Sequence, residues 1–172
     1  MKQLNLGCGT SKARKLETSD SQGWHDVVHL DIDPSVEPHI VHDLNCTGME
    51  FFEDESFDEI HAYDVLEHTG TQGDWRFFFD QFAEFWRILK PEGLVYISVP
   101  HYTSTWSVGD PGHTRLFSEG TFCFLDSEET TKQIGKSPMT DYKFYWKRDF
   151  ERLLVTFDKD TQQVFVILKK RQ

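Results

Sequence analysis

Acidic residues stand at the ends of three apolar stretches in the first half of the chain. Asp31 and Asp33 close one stretch, Asp43 lies at the end of the next, and Asp64 lies at the end of the third. Short apolar stretches are typical of buried strands, and the carboxyl ends of parallel strands meet at one edge of a sheet. Carboxylates gathered there accept hydrogen bonds and favour a positively charged ligand.

A glycine turn precedes these acids. Lys2 to Leu6 reads as a short buried strand, and Gly7 and Gly9 follow it. Glycine adopts positive φ readily and lets a ligand lie against bare backbone. Two glycines fit an ordinary strand-to-loop turn equally well. We interpret Cys8, between them, as a small residue that fills the turn rather than as a nucleophile.

A second group of reactive side chains lies further along the chain. His113 is a candidate general base, because a neutral imidazole can take a proton from a hydroxyl or an amine. The planar guanidinium of Arg115 could clamp an anionic group of a substrate. The alternative is that His113 and Arg115 hold their loop together by hydrogen bonds to Asp110 and to backbone carbonyls.

His101 is a third candidate catalytic residue. His101, Asp110 and His113 together have the composition of a two-histidine, one-carboxylate metal site. Nothing in the strand pattern requires a metal, and we predict none.

Strands and one long helix must position these residues. The predicted strands are His25–Asp33, His39–Leu44, Phe57–Val65 and Leu94–Val99. Asp74 can cap a helix that runs from about Trp75 to Lys90. Its apolar face, which we assign to the core, consists of Phe78, Phe82, Phe85 and Leu89, and Pro91 and Gly93 end the helix.

The remaining segments read as loops and a hairpin. Ser11 to Gly23 is polar and is predicted to be a mobile loop over the site, and His101 to Gly112 also reads as a loop. Ser118 caps a predicted short helix through Leu125, and Asp126 to Thr140 is expected to be exposed. Phe150–Phe157 and Gln163–Leu168 are predicted to form a hairpin with its turn at residues 158–161. The pattern predicts a mostly parallel α/β sheet with an antiparallel carboxyl-terminal edge hairpin.

The length and composition of the chain exclude some classes of function. A chain of 172 residues is expected to form a single domain, residues 1–172. Its net charge of −11 argues against nucleic acid as a partner, and no apolar run is long enough for a membrane span. The amino terminus enters a strand at once, with no secretory signal, and the three cysteines have no paired spacing. We therefore expect a cytoplasmic protein, while nothing indicates its oligomeric state.

Five motifs then occur in a characteristic order. They are Leu4-Asn5-Leu6-Gly7-Cys8-Gly9, Leu30-Asp31-Ile32-Asp33, Asp43-Leu44, the run from Ser56-Phe57-Asp58-Glu59-Ile60 to Leu66-Glu67-His68, and Arg87-Ile88-Leu89-Lys90-Pro91-Glu92-Gly93. Over roughly residues 2 to 120 the chain resembles the class I S-adenosylmethionine-dependent methyltransferases. The segment from Asp110 to Ser118 also resembles a substrate-side stretch found in some of these enzymes. The resemblance implies a Rossmann-like fold, S-adenosylmethionine as cofactor and S-adenosylhomocysteine as product.

The resemblance also implies a binding mode. Asp31, or Asp33 in its place, would bind the ribose hydroxyls, and Asp43 and Leu44 would lie by the adenine. His68 has either a catalytic or a helix-capping role. The full set of expected cofactor-binding residues is Gly7, Cys8, Gly9, Thr10, Asp31, Ile32, Asp33, Asp43, Leu44, Tyr63, Asp64, Val65 and His68.

The chain departs from the family pattern in three ways. Asn5 replaces a usual acid, the third glycine of the turn is absent, and the usual helix before the first strand is missing. A non-catalytic nucleoside-binding protein of the same fold is therefore an alternative. An NAD-dependent oxidoreductase is a weaker one, because its glycine turn is normally G-x-G-x-x-G.

The sequence thus predicts a methyltransferase that acts on an oxygen or nitrogen of a small or modest-sized acceptor. Acceptor contacts are expected from the Ser11 to Gly23 loop, from residues 101–117 and from residues 126–145. Four aromatic residues could line an acceptor pocket, although the core could equally contain the last two: Tyr102, Trp106, Phe122 and Trp146.

Overall fold

A computed structural model describes residues 1–16 and 23–172, and within them seven strands form one sheet. The strands are β1 (Lys2–Leu6), β2 (Asp26–Asp31), β3 (Ile40–Val41), β4 (Phe57–Tyr63), β5 (Leu89–Pro100), β6 (Phe150–Asp158) and β7 (Gln163–Lys170). Their order is β3-β2-β1-β4-β5-β7-β6. The first five strands are parallel, and β7 is antiparallel to both β5 and β6. The predicted α/β class with an antiparallel edge hairpin is confirmed.

The strand order reverses between β1 and β4. From β1 the chain moves outward through β2 to β3, and it then returns to the other side of β1 to form β4 and β5. Ligands of open α/β sheets bind outside the carboxyl ends of strands at such a reversal. In this sheet, Gly7 follows β1 and Asp64 follows β4.

The helices differ from the prediction at their ends and in number. Asp74 caps α1 (Trp75–Ile88) by accepting a hydrogen bond from the Phe77 N–H at 3.0 Å. The helix ends two residues before the predicted Lys90, and β5 begins directly at Leu89, because Pro91 disfavours helical backbone in the residue before it.

Two short helices fall in segments that we expected to be irregular. They are α2 (Thr105–Gly109) and α3 (Ser127–Gln133), capped by Ser104 and Asp126 respectively. The predicted short helix after Ser118 is present as a 3-10 helix, Glu119–Leu125. None of the helices in residues 1–16 and 23–172 has the length and apolar character needed to cross a membrane.

Three predicted strands end earlier than expected, each for a local reason. β2 ends at Asp31, and Asp33 instead caps a 3-10 helix, Pro34–Val36. β3 contains only Ile40–Val41, since a turn follows in which the Cys46 N–H donates to the Asp43 carbonyl at 2.9 Å. β4 ends at Tyr63 because the backbone of Asp64 has a φ of 51°.

The two faces of the sheet are buried in different ways. Side chains alternate between the faces along a strand. On one face Leu4, Ile60 and Val95 pack with the aromatic residues of α1, which include Phe82 and Phe85. This face is the apolar core and holds the sheet against its longest helix.

The opposite face carries a buried polar network. The Glu59 carboxylate accepts a hydrogen bond from Gln3 at 2.6 Å, lies 3.1 Å from His61 Nε2 and pairs with Arg14 at 3.2 Å. Burial alone would raise the pKa of Glu59, but these partners outweigh it and lower the pKa. Arg14 belongs to the predicted loop 11–23, so the described part of that loop packs on the sheet, while residues 17–22 lie outside the described residues.

Candidate functional site

A cleft of about 370 Å³ opens at the carboxyl ends of β1, β2 and β4. It lies where the strand order reverses, as the fold requires. The predicted residues that line it are Gly7, Asp31, Ile32, Asp43, Leu44, Asp64, Val65 and His68. The structure therefore brings these eight residues to one place.

Both glycines of the first turn have positive φ, but the atoms around them differ. Gly7 has a φ of 57°, and a Cβ at this position would overlap the side chain of Val65. Gly9 has a φ of 53°, and a Cβ there would meet no atom within 4 Å. Gly7 thus permits the close packing of β1 against the end of β4, whereas the space beside Gly9 is open to a ligand.

Cys8 has the structural role expected of it. Its side chain is buried, and its N–H donates to the Leu30 carbonyl at 3.1 Å. Burial raises the pKa of the thiol, and the nearby Asp31 carboxylate adds to this rise. A neutral, buried thiol is a poor nucleophile.

Asp31 is held at the edge of the cleft by two backbone groups. One carboxylate oxygen accepts from the Gly9 N–H at 2.9 Å and the other from the Asp33 N–H at 3.0 Å. Each oxygen of a carboxylate has two acceptor positions. Both oxygens therefore keep the capacity to accept one more hydrogen bond, which matches a pair of vicinal hydroxyls.

Asp33 is engaged elsewhere. Its carboxylate accepts from the Ser35 N–H and from the Ser35 hydroxyl, each at 2.8 Å. The hydrogen bonds from Ser35 lower the pKa of Asp33. Of the two acids that the sequence offered for the ribose, the geometry favours Asp31.

The outer end of the cleft combines apolar and amide groups. Ile32 is 60% exposed, and Leu44 is buried beneath the same cleft. Asp43 accepts from the backbone and side-chain amides of Asn45, at 2.9 Å each. An aromatic ring that bears an amine would find an apolar surface and polar acceptors here.

The inner end of the cleft is marked by strained backbone. Asp64 has a φ of 51°, a backbone conformation that is uncommon for residues other than glycine. Backbone strain of this kind is often found at functional sites. The Asp64 carboxylate accepts from the Ser98 hydroxyl at 3.3 Å and forms an ion pair with Lys15. Tyr63, by contrast, lies on the opposite face of the sheet, where its hydroxyl is 2.8 Å from His61 Nδ1.

Some lining residues escaped the sequence reasoning, and some predicted ones lie elsewhere. The missed residues are Leu30, His42, Asn45, Thr69 and Gly112. All five are sequence neighbours of predicted site residues, which could have identified them. Leu30 precedes Asp31, His42 and Asn45 flank Asp43-Leu44, Thr69 follows His68, and Gly112 precedes His113. Cys8, Gly9, Thr10, Asp33 and Tyr63 do not line the cleft.

Arg115 is buried and hydrogen-bonded to the protein itself. Its guanidinium donates to the Leu66 carbonyl at 2.7 Å, the Thr69 hydroxyl at 2.6 Å and the Gln81 side-chain carbonyl at 2.8 Å. Burial lowers its pKa to about 10. These contacts fit the alternative in which Arg115 holds the loop together, rather than a clamp for substrate.

His101 is likewise enclosed by protein. Its ring stacks on Phe157 with the centroids 4.1 Å apart, Nδ1 is 2.6 Å from the Thr103 hydroxyl, and Nε2 is 3.4 Å from Glu119. It does not line the cleft. The geometry therefore does not unite it with His113 in the metal site that the sequence composition allowed.

His113 instead meets Glu67 and His68 beside the cleft. The His68 and His113 rings are in edge-to-face contact with their centroids 4.5 Å apart, and His113 Nε2 is 4.0 Å from Glu67 Oε1. Burial raises the pKa of Glu67 to about 8, and the Asp64 carboxylate adds to the rise. Glu67 belongs to one of the five sequence motifs, but its burial could not be predicted from the sequence.

The cleft suits an S-adenosyl nucleoside. The spare acceptor capacity of Asp31 matches the hydroxyls of a ribose, and the carboxylate of Asp64 matches a cationic group. S-adenosylmethionine would supply a methyl group on a positively charged sulfur.

Comparisons with known proteins agree with this geometry. Residues 4–97 match the family described as Methyltransferase domain. A search of curated protein sequences found no match.

Solved methyltransferase structures share the fold. A SAM-dependent methyltransferase from Archaeoglobus fulgidus has a TM-score of 0.63 and 14% identity, over 98% of this chain and 86% of that one. One from Methanosarcina mazei has a TM-score of 0.56 and 16% identity, over 99% and 92%. The methyltransferase CalH, solved in complex with SAH, has a TM-score of 0.59 and 15% identity, over 98% and 51%. At these identities the likeness shows the fold alone.

The family match shows which family the chain belongs to, which the structural likeness alone does not, because the match covers more than half of the chain. It also excludes the oxidoreductase alternative. The chain belongs to the methyltransferase domain family and is a class I S-adenosylmethionine-dependent methyltransferase with a Rossmann-like fold.

Proposed function

We propose that this methyltransferase binds its cofactor in the cleft between β1 and β4 and methylates an oxygen or nitrogen of a small or modest-sized acceptor. The observation that carries the proposal is Asp31, whose two oxygens are fixed by backbone N–H groups and face the cleft. Residues 1–172 act as one domain in this proposal, since strands from both ends of the chain share one sheet.

The chain's own residues would orient the cofactor along the cleft. Asp31 accepts from the ribose hydroxyls, and Ile32 and Leu44 cover the adenine. Asp64 lies beside the methionine part and stabilises positive charge near the sulfur, where methyl transfer requires close alignment. This arrangement is supported by the positions of these side chains around one cleft.

The acceptor side is proposed to involve residues 101–117. Tyr102, Trp106 and Leu116 are exposed there, and Leu116 also lines a second cavity of about 400 Å³. Phe122 and Trp146 belong to the core instead, packed on Phe117 and Phe150 respectively. Of the four aromatic residues named from the sequence, the exposed pair Tyr102 and Trp106 is therefore available to an acceptor.

Transfer of a methyl group from a sulfonium to a hydroxyl or amine releases one proton. The new bond to oxygen or nitrogen forms as the sulfur–methyl bond breaks, and the electron pair of that bond stays on sulfur. His113, close to Glu67 and beside the cleft, is the proposed group that acts on the acceptor proton. His101 and Arg115 are proposed to position the surrounding loop.

Calorimetric titration with S-adenosylhomocysteine tests the proposal. Asp31→Ala removes two charge-assisted hydrogen bonds to the ribose, and we expect it to weaken binding by about 100-fold. Asp33→Asn is the matched control, because Asp33 is engaged with Ser35, and its affinity should stay within about threefold of wild type. Equal affinity of Asp31→Ala and wild type would contradict the binding mode.

A further inference from the structure

A cluster of one carboxyl and two imidazoles lies where the cofactor cleft meets the loop after α2. Glu67 and His68 belong to the 3-10 helix Leu66–His68, and His113 comes from the loop. One potential ligand atom from each side chain lies within 4.8 Å of the other two. Three atoms that each lie about 2.1 Å from one ion in a tetrahedral arrangement are about 3.4 Å apart, so the ligand atoms must approach one another by up to about 1.4 Å for all three to bind it.

Neither side-chain oxygen of Glu67 has a hydrogen-bond partner among residues 1–16 and 23–172, and the nearest ring nitrogen, His113 Nε2, is 4.0 Å from Oε1. The residue is only 1% exposed, and both oxygens are out of contact with solvent. His113 Nδ1 is also buried without a partner in that part of the chain. A buried carboxyl without a partner is costly, and buried charges are normally paired or coordinate a metal. The unfilled oxygens therefore point to a cation.

The surrounding protein fixes the cluster from two sides. The Glu67 carbonyl accepts from the Thr114 N–H at 2.8 Å and from the Arg115 N–H at 3.2 Å. His68 Nδ1 lies 3.3 Å from the Gly112 carbonyl. Metal-bound histidines commonly donate their second ring N–H to a backbone carbonyl, which fixes the ring and leaves the other nitrogen free to bind. These contacts prepare Glu67 and His68 as ligands.

We propose that Glu67, His68 and His113 bind a divalent transition-metal ion, and that the open positions of this ion hold a hydroxyl oxygen of the methyl acceptor. Two imidazoles with one carboxylate suit Zn²⁺, Mn²⁺ or Fe²⁺ rather than Ca²⁺, which takes six to eight oxygen ligands. His68 is exposed and lines the cofactor cleft, so the open positions face it.

The role of the ion as an acceptor site rests on the proposed function. A bound divalent cation lowers the pKa of a hydroxyl that contacts it. The hydroxyl proton passes to solvent, an oxygen lone pair forms the bond to the methyl carbon, and the sulfur–methyl bond breaks with its electron pair left on sulfur. On this proposal the acceptor atom is oxygen, and His113 acts on the acceptor proton through the metal that it binds, since the metal lowers the pKa of the hydroxyl.

Metal binding is tested on untagged full-length protein, freed of metal by a chelator, by calorimetric titration with Zn²⁺ and with Mn²⁺. We expect one site per chain, and at least about 100-fold weaker binding in Glu67→Gln and in His113→Ala, since even outer-shell changes cost 10- to 100-fold. His25→Ala removes an exposed imidazole elsewhere and should bind as wild type does. Thermal melting checks that each variant is folded.

Several outcomes would overturn the site. They are no uptake by folded wild type, unchanged affinity in Glu67→Gln and His113→Ala, or equal binding of Ca²⁺. S-adenosylhomocysteine binding is measured on the same samples: nucleoside binding without metal uptake contradicts only the metal site, and metal uptake without nucleoside binding contradicts only the proposed function.

The open positions are tested with Co²⁺ as the bound ion and acetohydroxamate as an oxygen-donor probe. We expect the visible absorption of Co²⁺ to change when acetohydroxamate is added. An unchanged spectrum would show a closed, structural ion and would overturn its role as an acceptor site.

Discussion

Asp31 and Glu67 are two acids beside the same cleft, and their surroundings are opposite. Asp31 is half-exposed, and each of its oxygens accepts a backbone N–H from its own neighbourhood. Glu67 is buried, and within the described chain its oxygens meet no donor. The first acid is held before any ligand binds, because the turn that follows it and the turn after β1 each supply one N–H donor. The second is incomplete, and the protein holds it in place through its backbone alone.

The largest expected effect comes from replacing Arg115, which supports the backbone beside Glu67. Arg115→Met removes the hydrogen bonds to Leu66, Thr69 and Gln81 and leaves buried acceptors unpaired. We expect the free energy of unfolding to fall by about 3 to 4 kcal/mol. Urea denaturation measures this. A loss below about 1 kcal/mol would show that the loop is held by other contacts.

The next effect concerns the turn on the Asp31 side. Gly7→Ala combines positive φ with overlap on Val65, whereas Gly9→Ala meets only the cost of positive φ. We expect losses of about 3 kcal/mol and about 1 kcal/mol respectively. The same denaturation experiment compares the two variants directly. Equal losses would contradict the distinct roles of the two glycines.

The smallest effect has the opposite sign. Glu67→Leu removes a buried carboxyl that has no hydrogen-bond partner in the described part of the chain, so we expect the metal-free protein to gain about 1 to 2 kcal/mol in stability. Thermal and urea denaturation in the presence of a chelator measure the gain. Destabilisation by Glu67→Leu would indicate that the carboxyl already has a partner in the metal-free protein.

The same contrast explains what the sequence could predict. Asp31, Asp43 and Asp64 lie at or just beyond the carboxyl ends of parallel strands, which meet at one edge of the sheet, so their convergence follows from local patterns alone. The capping of α1 by Asp74 is equally local. These features were predicted with nearly correct boundaries.

The cluster around Glu67 depends on contacts between distant segments. Glu67 and His113 are 46 positions apart in sequence, and their approach requires the Thr114 and Arg115 amides to bond the Glu67 carbonyl. The sequence grouped His113 with His101 because they lie in one segment, but His101 turns away to stack on Phe157. Side-chain direction after a strand end is set by tertiary packing, which no spacing rule contains.

The ion pair between Lys15 and Asp64 changes how cofactor affinity should be understood. In the proposed binding mode the carboxylate of Asp64 already has a cationic partner from the chain, so cofactor entry is an exchange of one positive group for another. The free energies of the lost and the gained ion pair nearly cancel, and the half-exposed pair of Lys15 and Asp64 itself contributes little to stability. The electrostatic gain at this end of the cleft should therefore be small, and discrimination among nucleosides should come from the ribose end.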